Sequence, residues 1–166
     1  MLSAKSYKAI FLLPFNMLIS IPAILVYCFE TFQICNNVVN CCFAIPLFLI
    51  GSYLLLKTIL LFDKNGNGTL APWYPTKKLV IEGPYRHVRN PMISGVIIIL
   101  FSEGLIFSAK SIFILAAIFF IINTIYFLIK EERDLEKRFG KEYLEYKKQV
   151  PMWLPRMKAY KSNWNS

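Results

Sequence analysis

Four apolar runs limit what this chain can fold into: residues 9–29, 38–62, 92–108 and 111–129. Helices are the natural form for such runs, because backbone N–H and C=O groups inside a lipid core must find partners within their own segment. About 20 helical residues cross the hydrocarbon layer. The first two runs meet that length. The third and fourth are shorter and are joined only by Ala109–Lys110, which reads as a tight helical hairpin. The expected fold is therefore an all-α integral membrane protein in one domain. It has about four transmembrane helices, a C-terminal helical hairpin and a cytoplasmic helical tail. A hydrophobic content of 56% supports that class.

The first run follows Lys5 and Lys8, as the apolar stretch of a signal peptide does. It is longer than such a stretch, and no small-x-small cleavage site follows, so it reads as a retained span. Pro14 and Pro22 should bend it, since proline removes a helical hydrogen bond. Lysines and arginines alternate across the runs. The loop 30–37 has none, the loop 63–91 has five, the 109–110 connection has one, and the tail 130–166 has ten. Cytoplasmic loops carry the cationic excess, so both termini and the loop 63–91 are expected on the cytoplasmic side. The net charge of +9 flanks apolar runs rather than forming a basic domain. Its expected partners are anionic headgroups of the bilayer, not nucleic acid.

Cys28, Cys35, Cys41 and Cys42 cluster near the outer ends of the first two runs. They read as small apolar packing, or as a disulfide from Cys35 to Cys41 or Cys42 if that face is oxidising. With one histidine and no zinc-like spacing, no metal centre is expected. Asn67-Gly-Thr69 has the form of a glycosylation sequon, but a cytoplasmic loop would not meet that machinery. Lys77–Ile81 leans towards β structure.

The polar residues with chemical potential fall in two places. The stretch Gly83–Gly95 (GPYRHVRNPMISG) combines a Gly-Pro turn, Arg86, Arg89, the single histidine and an Asn-Pro helix start. Pro91 suits a first helical turn, and the free N–H groups there favour an anion or carboxylate. The plainer reading is a pair of arginines meeting lipid phosphates. The second place is Glu131-Glu132, just past the fourth run. It reads either as solvated helix charge beside Lys130 and Arg133, or as one carboxylate accepting from ribose hydroxyls while the other faces a cation. The helix should run on to Phe139 with Gly140 as its cap. A short amphipathic helix Lys141–Lys148 should follow, with Trp153 as an interfacial anchor. Within the runs, Glu103 is open to three readings: reaching water or Lys110, lying protonated inside the bundle, or taking a chemical role. Asn123 and Tyr126, one turn apart, can both face the bundle interior.

These motifs together resemble the isoprenylcysteine carboxyl methyltransferase and phospholipid methyltransferase superfamily of integral membrane enzymes. That family shows GPYRxVRHPxYxG, an apolar hairpin, a Glu-Glu pair and FGxxYxxYxxxVP. Here the parts are Gly83–Gly95, then Glu131-Glu132, then Phe139-Gly140 with Tyr143, Tyr146 and Val150-Pro151. The resemblance covers roughly Gly68 to Arg156. It implies an S-adenosylmethionine-dependent methyltransferase whose cofactor binds on the cytoplasmic side, in a pocket formed by the loop 63–91 and the tail 130–166. It implies Tyr85, Arg86, Asn90, Pro91, Ile93, Gly95, Glu131 and Glu132 as cofactor-binding positions, and Glu131, Glu132 and Arg89 as candidate catalytic residues. Asn90 stands where the family has histidine, and Ile93 where it has tyrosine. Phe127 and Leu128 occupy the region where the prenylcysteine enzymes place a substrate-holding arginine, so the acceptor is a lipophilic molecule or a small thiol, amine or carboxylate other than a prenylcysteine. Methyl transfer from a sulfonium needs alignment and exclusion of water, without a covalent nucleophile or a metal. Two alternatives stand beside this reading: an NADPH-dependent membrane reductase of related architecture, and a non-catalytic lipid-binding membrane protein.

Overall fold

The computed structural model describes residues 11–30, 38–64 and 79–161, all of it helix, turn or extended connection, with no strand among the described residues. The first run opens as a π-helix, Phe11–Ser20, and passes into α1, Ile21–Phe29. Pro22 stands just past the change from π to α winding, on a helical path that Ser20, in right-handed helical geometry, carries through without a break.

The second run is α2, Val38–Lys64, the third α3, Pro91–Ile106, and the fourth α4, Lys110–Tyr126. A π-turn, Phe127–Glu131, joins α4 to α5, Glu132–Gln149. Two helical stretches, Val38–Leu61 and the continuous path from Lys110 onward, are long and apolar enough to cross a membrane, whereas Phe15–Phe29 and Pro91–Ile106 are shorter apolar helices.

The core lies where α2, α3 and α4 meet, around Leu55, Ile59, Ile99, Leu100, Ile112 and Ala116, with Val26 of α1 against it. The closest approach is between α2 and α3. A Cβ built on Gly95 would stand 2.9 Å from the Gly51 carbonyl oxygen, and one on Gly51 would stand 2.9 Å from the Gly95 carbonyl. Small residues let helix backbones touch in this way. Along the same seam the Ser102 hydroxyl donates to the Ala44 carbonyl at 2.8 Å. The large apolar side chains of Ile114, Ile118, Ile121, Ile122 and Ile125 point outward from α4. A chain in water rarely leaves so continuous an apolar face bare.

The α3–α4 hairpin closes with a Schellman motif. Ser108 takes the positive φ of 50° that usually falls to glycine. The Ala109 N–H then bonds the Gly104 carbonyl at 3.0 Å, and the Ser108 N–H bonds that of Leu105 at 3.4 Å. The next helix has no cap from its own side chains. Glu30, at the end of α1, supplies one by accepting the Ser111 N–H at 3.0 Å. A carboxylate at a helix N-terminus also favours the helix dipole.

Several expectations are corrected. Glu103 does not pair with Lys110; its Oε2 is buried without a hydrogen-bond partner. Asn123 and Tyr126 are both half-buried, and the Asn123 amide donates to the Phe119 carbonyl of its own helix at 2.7 Å. Cys28 and Cys42 are exposed on their helices rather than packed inside. Cys35 and the sequon at Asn67 lie outside the described residues. The described part of the β-leaning piece, residues 79–81, forms no strand.

Candidate functional site

The loop before α3 is a 3₁₀ turn, Gly83–Arg86. Gly83 has φ 52°, and a Cβ there would press on Leu61 of α2 at 3.0 Å, so glycine answers both the conformation and the space. The tail holds this loop along its length. The Arg89 N–H bonds the Pro151 carbonyl at 3.0 Å, the Arg156 N–H bonds that of His87 at 3.0 Å, and the Tyr160 N–H bonds that of Arg86 at 2.9 Å. His87 Nδ1 meets the Arg156 carbonyl at 2.8 Å, and the Tyr146 hydroxyl donates to the Tyr85 carbonyl at 2.7 Å. Beneath these bonds Ile81, Tyr143, Tyr146, Val150 and Tyr160 form a second, smaller core.

At the centre the Arg89 guanidinium donates to the Glu132 carboxylate, joining the two motif segments across 43 residues. Their side chains are 13% and 5% exposed, respectively. Lys147 meets the other Glu132 oxygen at 2.9 Å and Glu136 at 2.6 Å. A buried carboxylate needs this compensation. Two cations face two carboxylates, so the cluster is neutral as a whole.

Lys147 reaches Glu132 only because α5 is broken. In a straight helix the 15 positions between them would span about 22 Å. Gly140, with φ 52° and ψ −125°, kinks the helix and turns its second half back. The expected end at Phe139, with Gly140 as its cap, and the new helix from Lys141 are both seen, since Gly140 leaves helical geometry and divides α5 into two helical halves. Lys147 and Glu136 escaped the sequence reading. The available signal was that Lys147 lies one turn past Tyr143, a position the motif places on the buried face.

The neighbouring carboxylate has different surroundings. Glu131 is half-buried, and burial pushes its carboxyl above the usual range; the Tyr126 hydroxyl, bonded to it, pulls the other way. Tyr85 lies near the same carboxylate; burial first, and the Glu131 charge second, push its phenol upward. Burial and then the Glu132 charge push Tyr143 up to about 12, and Arg89 opposes them. The π-turn makes the Tyr126–Glu131 contact possible. Five residues along an α-helix point about 140° apart, whereas an i→i+5 turn returns them to one side.

The other sequence-derived positions divide. Asn90 and Pro91 are buried at the start of α3. The Asn90 side chain caps nothing, while its carbonyl accepts both the Ser94 N–H at 3.1 Å and the Ser94 hydroxyl at 2.9 Å. Ile93 is half-buried in the same first turn. Gly95 faces Gly51, so its place is explained by helix packing. Arg86 is exposed and turns its Nε back to the Ile81 carbonyl at 3.4 Å, away from both carboxylates. Two donors in this region, Arg89 Nε and Trp153 Nε1, are buried without a partner.

The fold and the Arg89–Glu132 pair define an all-helical protein whose two polar motif segments converge at one end of an apolar bundle. A phospholipid methyltransferase family profile matches residues 39–142, which takes in the bundle and both segments. The chain belongs to the phospholipid methyltransferase family. It is also similar to a protein of Bradyrhizobium diazoefficiens named Methanethiol S-methyltransferase 2, with 35% identity over 78 residues. That match covers 45% of this chain and 28% of the length of the relative.

Proposed function

We propose that this protein is a membrane-embedded methyltransferase that takes its methyl group from S-adenosylmethionine. The convergence of Arg89 and Glu132 carries the reading, because it brings the Gly83–Gly95 stretch and the Glu131-Glu132 pair to one place. In this reading four helices span the bilayer with both termini and the loop 63–91 cytoplasmic. The cofactor lies between the start of α3, the π-turn and the tail. These residues fit such a group. The orphaned Arg89 Nε can donate to an oxygen of the cofactor. The half-buried Glu131, flanked by Tyr85 and Tyr126, suits a positive sulfonium. Asn90, Pro91 and Ile93 line the approach from α3. When bound, the cofactor supplies an electrophilic methyl group; the chain positions it and keeps water away.

Glu132 is committed to Arg89 and Lys147, so the two carboxylates have unlike roles: Glu132 holds the site together and Glu131 meets the ligand. The acceptor is a neutral nucleophile that loses a proton on methylation. The name of the bacterial relative supports a small thiol, and the family name supports a lipid amine. Both reach the site from the apolar side or through the interface.

Calorimetry on protein in nanodiscs tests the reading. Binding of S-adenosylmethionine and of its demethylated product is expected, with much weaker binding of NADPH. Tight NADPH binding alone would favour a reductase, and binding of neither would leave a non-catalytic lipid-binding protein.

A further inference from the structure

The turn that carries Trp153 lies alongside α4, below the end of its apolar stretch. The Trp153 ring stands 5.0 Å from Phe120 and 6.3 Å from Phe127, centroid to centroid. Those phenylalanines precede Lys130, the first charge after Lys110 on this path, by ten and three residues. At 1.5 Å per residue Trp153 therefore sits about 5–15 Å beneath the level of that charge. That depth matches the headgroup and acyl boundary, where amphipathic segments bury themselves about 5–10 Å. The neighbouring apolar side chains are bare: Leu154 is 80% exposed and Met157 98%. The side chains of Ile121, Ile122, Ile125 and Leu128 are bare as well. The stretch 150–161 holds Arg156, Lys158 and Lys161 and no carboxylate, and Lys158 and Lys161 are exposed.

We propose that the turn 151–157 is a wedge seated in the cytoplasmic leaflet beside α4, with Leu154 and Met157 among acyl chains and Lys158 and Lys161 on anionic phosphates. The proposal rests on the reading that α4 spans the bilayer. The occupant is the lipid surface itself, because the wedge is apolar at its tip, cationic behind it, and packed through Trp153 against the apolar helix. The same segment is stitched to the site loop through Pro151 to Arg89, Arg156 to His87 and Tyr160 to Arg86. Seating in lipid therefore bears directly on the loop that carries Arg89.

Depth-resolved fluorescence tests this. Trp73→Phe with Trp164→Phe leaves Trp153 as the sole tryptophan, in vesicles of phosphatidylcholine and phosphatidylglycerol brominated at defined acyl positions. A companion protein carries Trp153→Phe and Ile122→Trp as a reporter on the bare face of α4. Quenching of both, with Trp153 losing most to the bromines nearest the headgroups, is the expected result. A quenched reporter beside an unquenched Trp153 overturns the wedge and leaves the span standing. Two unquenched proteins overturn the span and the wedge together. Met157→Cys carrying a polarity-sensitive dye, with Cys28, Cys35, Cys41 and Cys42 replaced by alanine, repeats the measurement without touching Trp153. Apolar emission is expected, and water-like emission overturns the wedge. Omission of phosphatidylglycerol should move the dye towards water. No movement overturns the contact of Lys158 and Lys161 with anionic phosphates.

Discussion

The Tyr126 hydroxyl bonds the Glu131 carboxylate five residues further on, across a turn of π-helix. The ionised carboxylate is the form that attracts a sulfonium, so affinity for S-adenosylmethionine should fall as pH drops through the Glu131 titration. Tyr126 stabilises the ionised form. Tyr126→Phe should therefore raise that titration further and move the loss of affinity to higher pH. Binding measured across a pH series checks this; an unchanged profile would detach Tyr126 from the site.

The two adjacent carboxylates should answer differently to the same substitution. Glu131→Gln should leave the fold intact and weaken cofactor binding by about 1.5–3 kcal/mol, the range for hydrogen bonds to a charged group. Glu132→Gln leaves Arg89 buried beside a neutral amide. Breaking such a pair costs about 3–5 kcal/mol, and the amide oxygen that remains should keep the loss towards the lower figure. Thermal unfolding in detergent, run beside calorimetry, separates the two effects. Equal behaviour of both variants would rule out the division of roles.

Gly95→Ala should destabilise the bundle more than Gly104→Ala. The new methyl at Gly95 meets backbone on two sides, 2.9 Å from the Gly51 carbonyl and 3.1 Å from Leu55 N. At Gly104 its nearest neighbours are atoms of the Phe113 ring, at 2.9–3.0 Å, a side chain that can swing aside. Overpacking costs about 1–3 kcal/mol, with Gly95→Ala at the upper end. Melting temperatures of the two variants decide the order.

Glu30→Ala should cost about 0.5–2 kcal/mol, as the loss of a cap does. Glu30→Gln, which keeps an acceptor for the Ser111 N–H, should cost less. Similar melting temperatures for Glu30→Ala and the parent would show that the contact contributes little.

Cysteine substituted at Ser3, Asn67 or Ser162 should be labelled only from the cytoplasmic side, and at Asn37 only from the outside. Labelling of Asn67 from the outer face would sink the four-span arrangement.

Much of the fold was legible because apolar run length and the short Ala109–Lys110 connection leave few choices for a chain of helices. The Arg89–Glu132 contact was within reach for the same reason, since a hairpin returns the chain to the level it left. What stayed hidden depends on local winding. A switch from i→i+4 to i→i+5 at Phe127 leaves no mark in residue types, so Tyr126 was read with Asn123 rather than with Glu131. Glu30 as a cap for Ser111, 81 positions away, rests on the tilt of α1, which its apolar residues do not specify. Lys147 was hidden because a cap at Gly140 fixes where one helix ends but not the fold-back of the next one on it.

That fold-back has a consequence for how the protein is made. The ribosome delivers Arg89 and Glu132 well before Lys147, and Lys147 before the Pro151, Arg156 and Tyr160 groups that bind the site loop. The nascent chain therefore holds a half-compensated Glu132 until the segment beyond Gly140 emerges and turns back. The last polar segment completes the site, and a chain halted at Gly140 would carry both motif segments without the clasp that closes them.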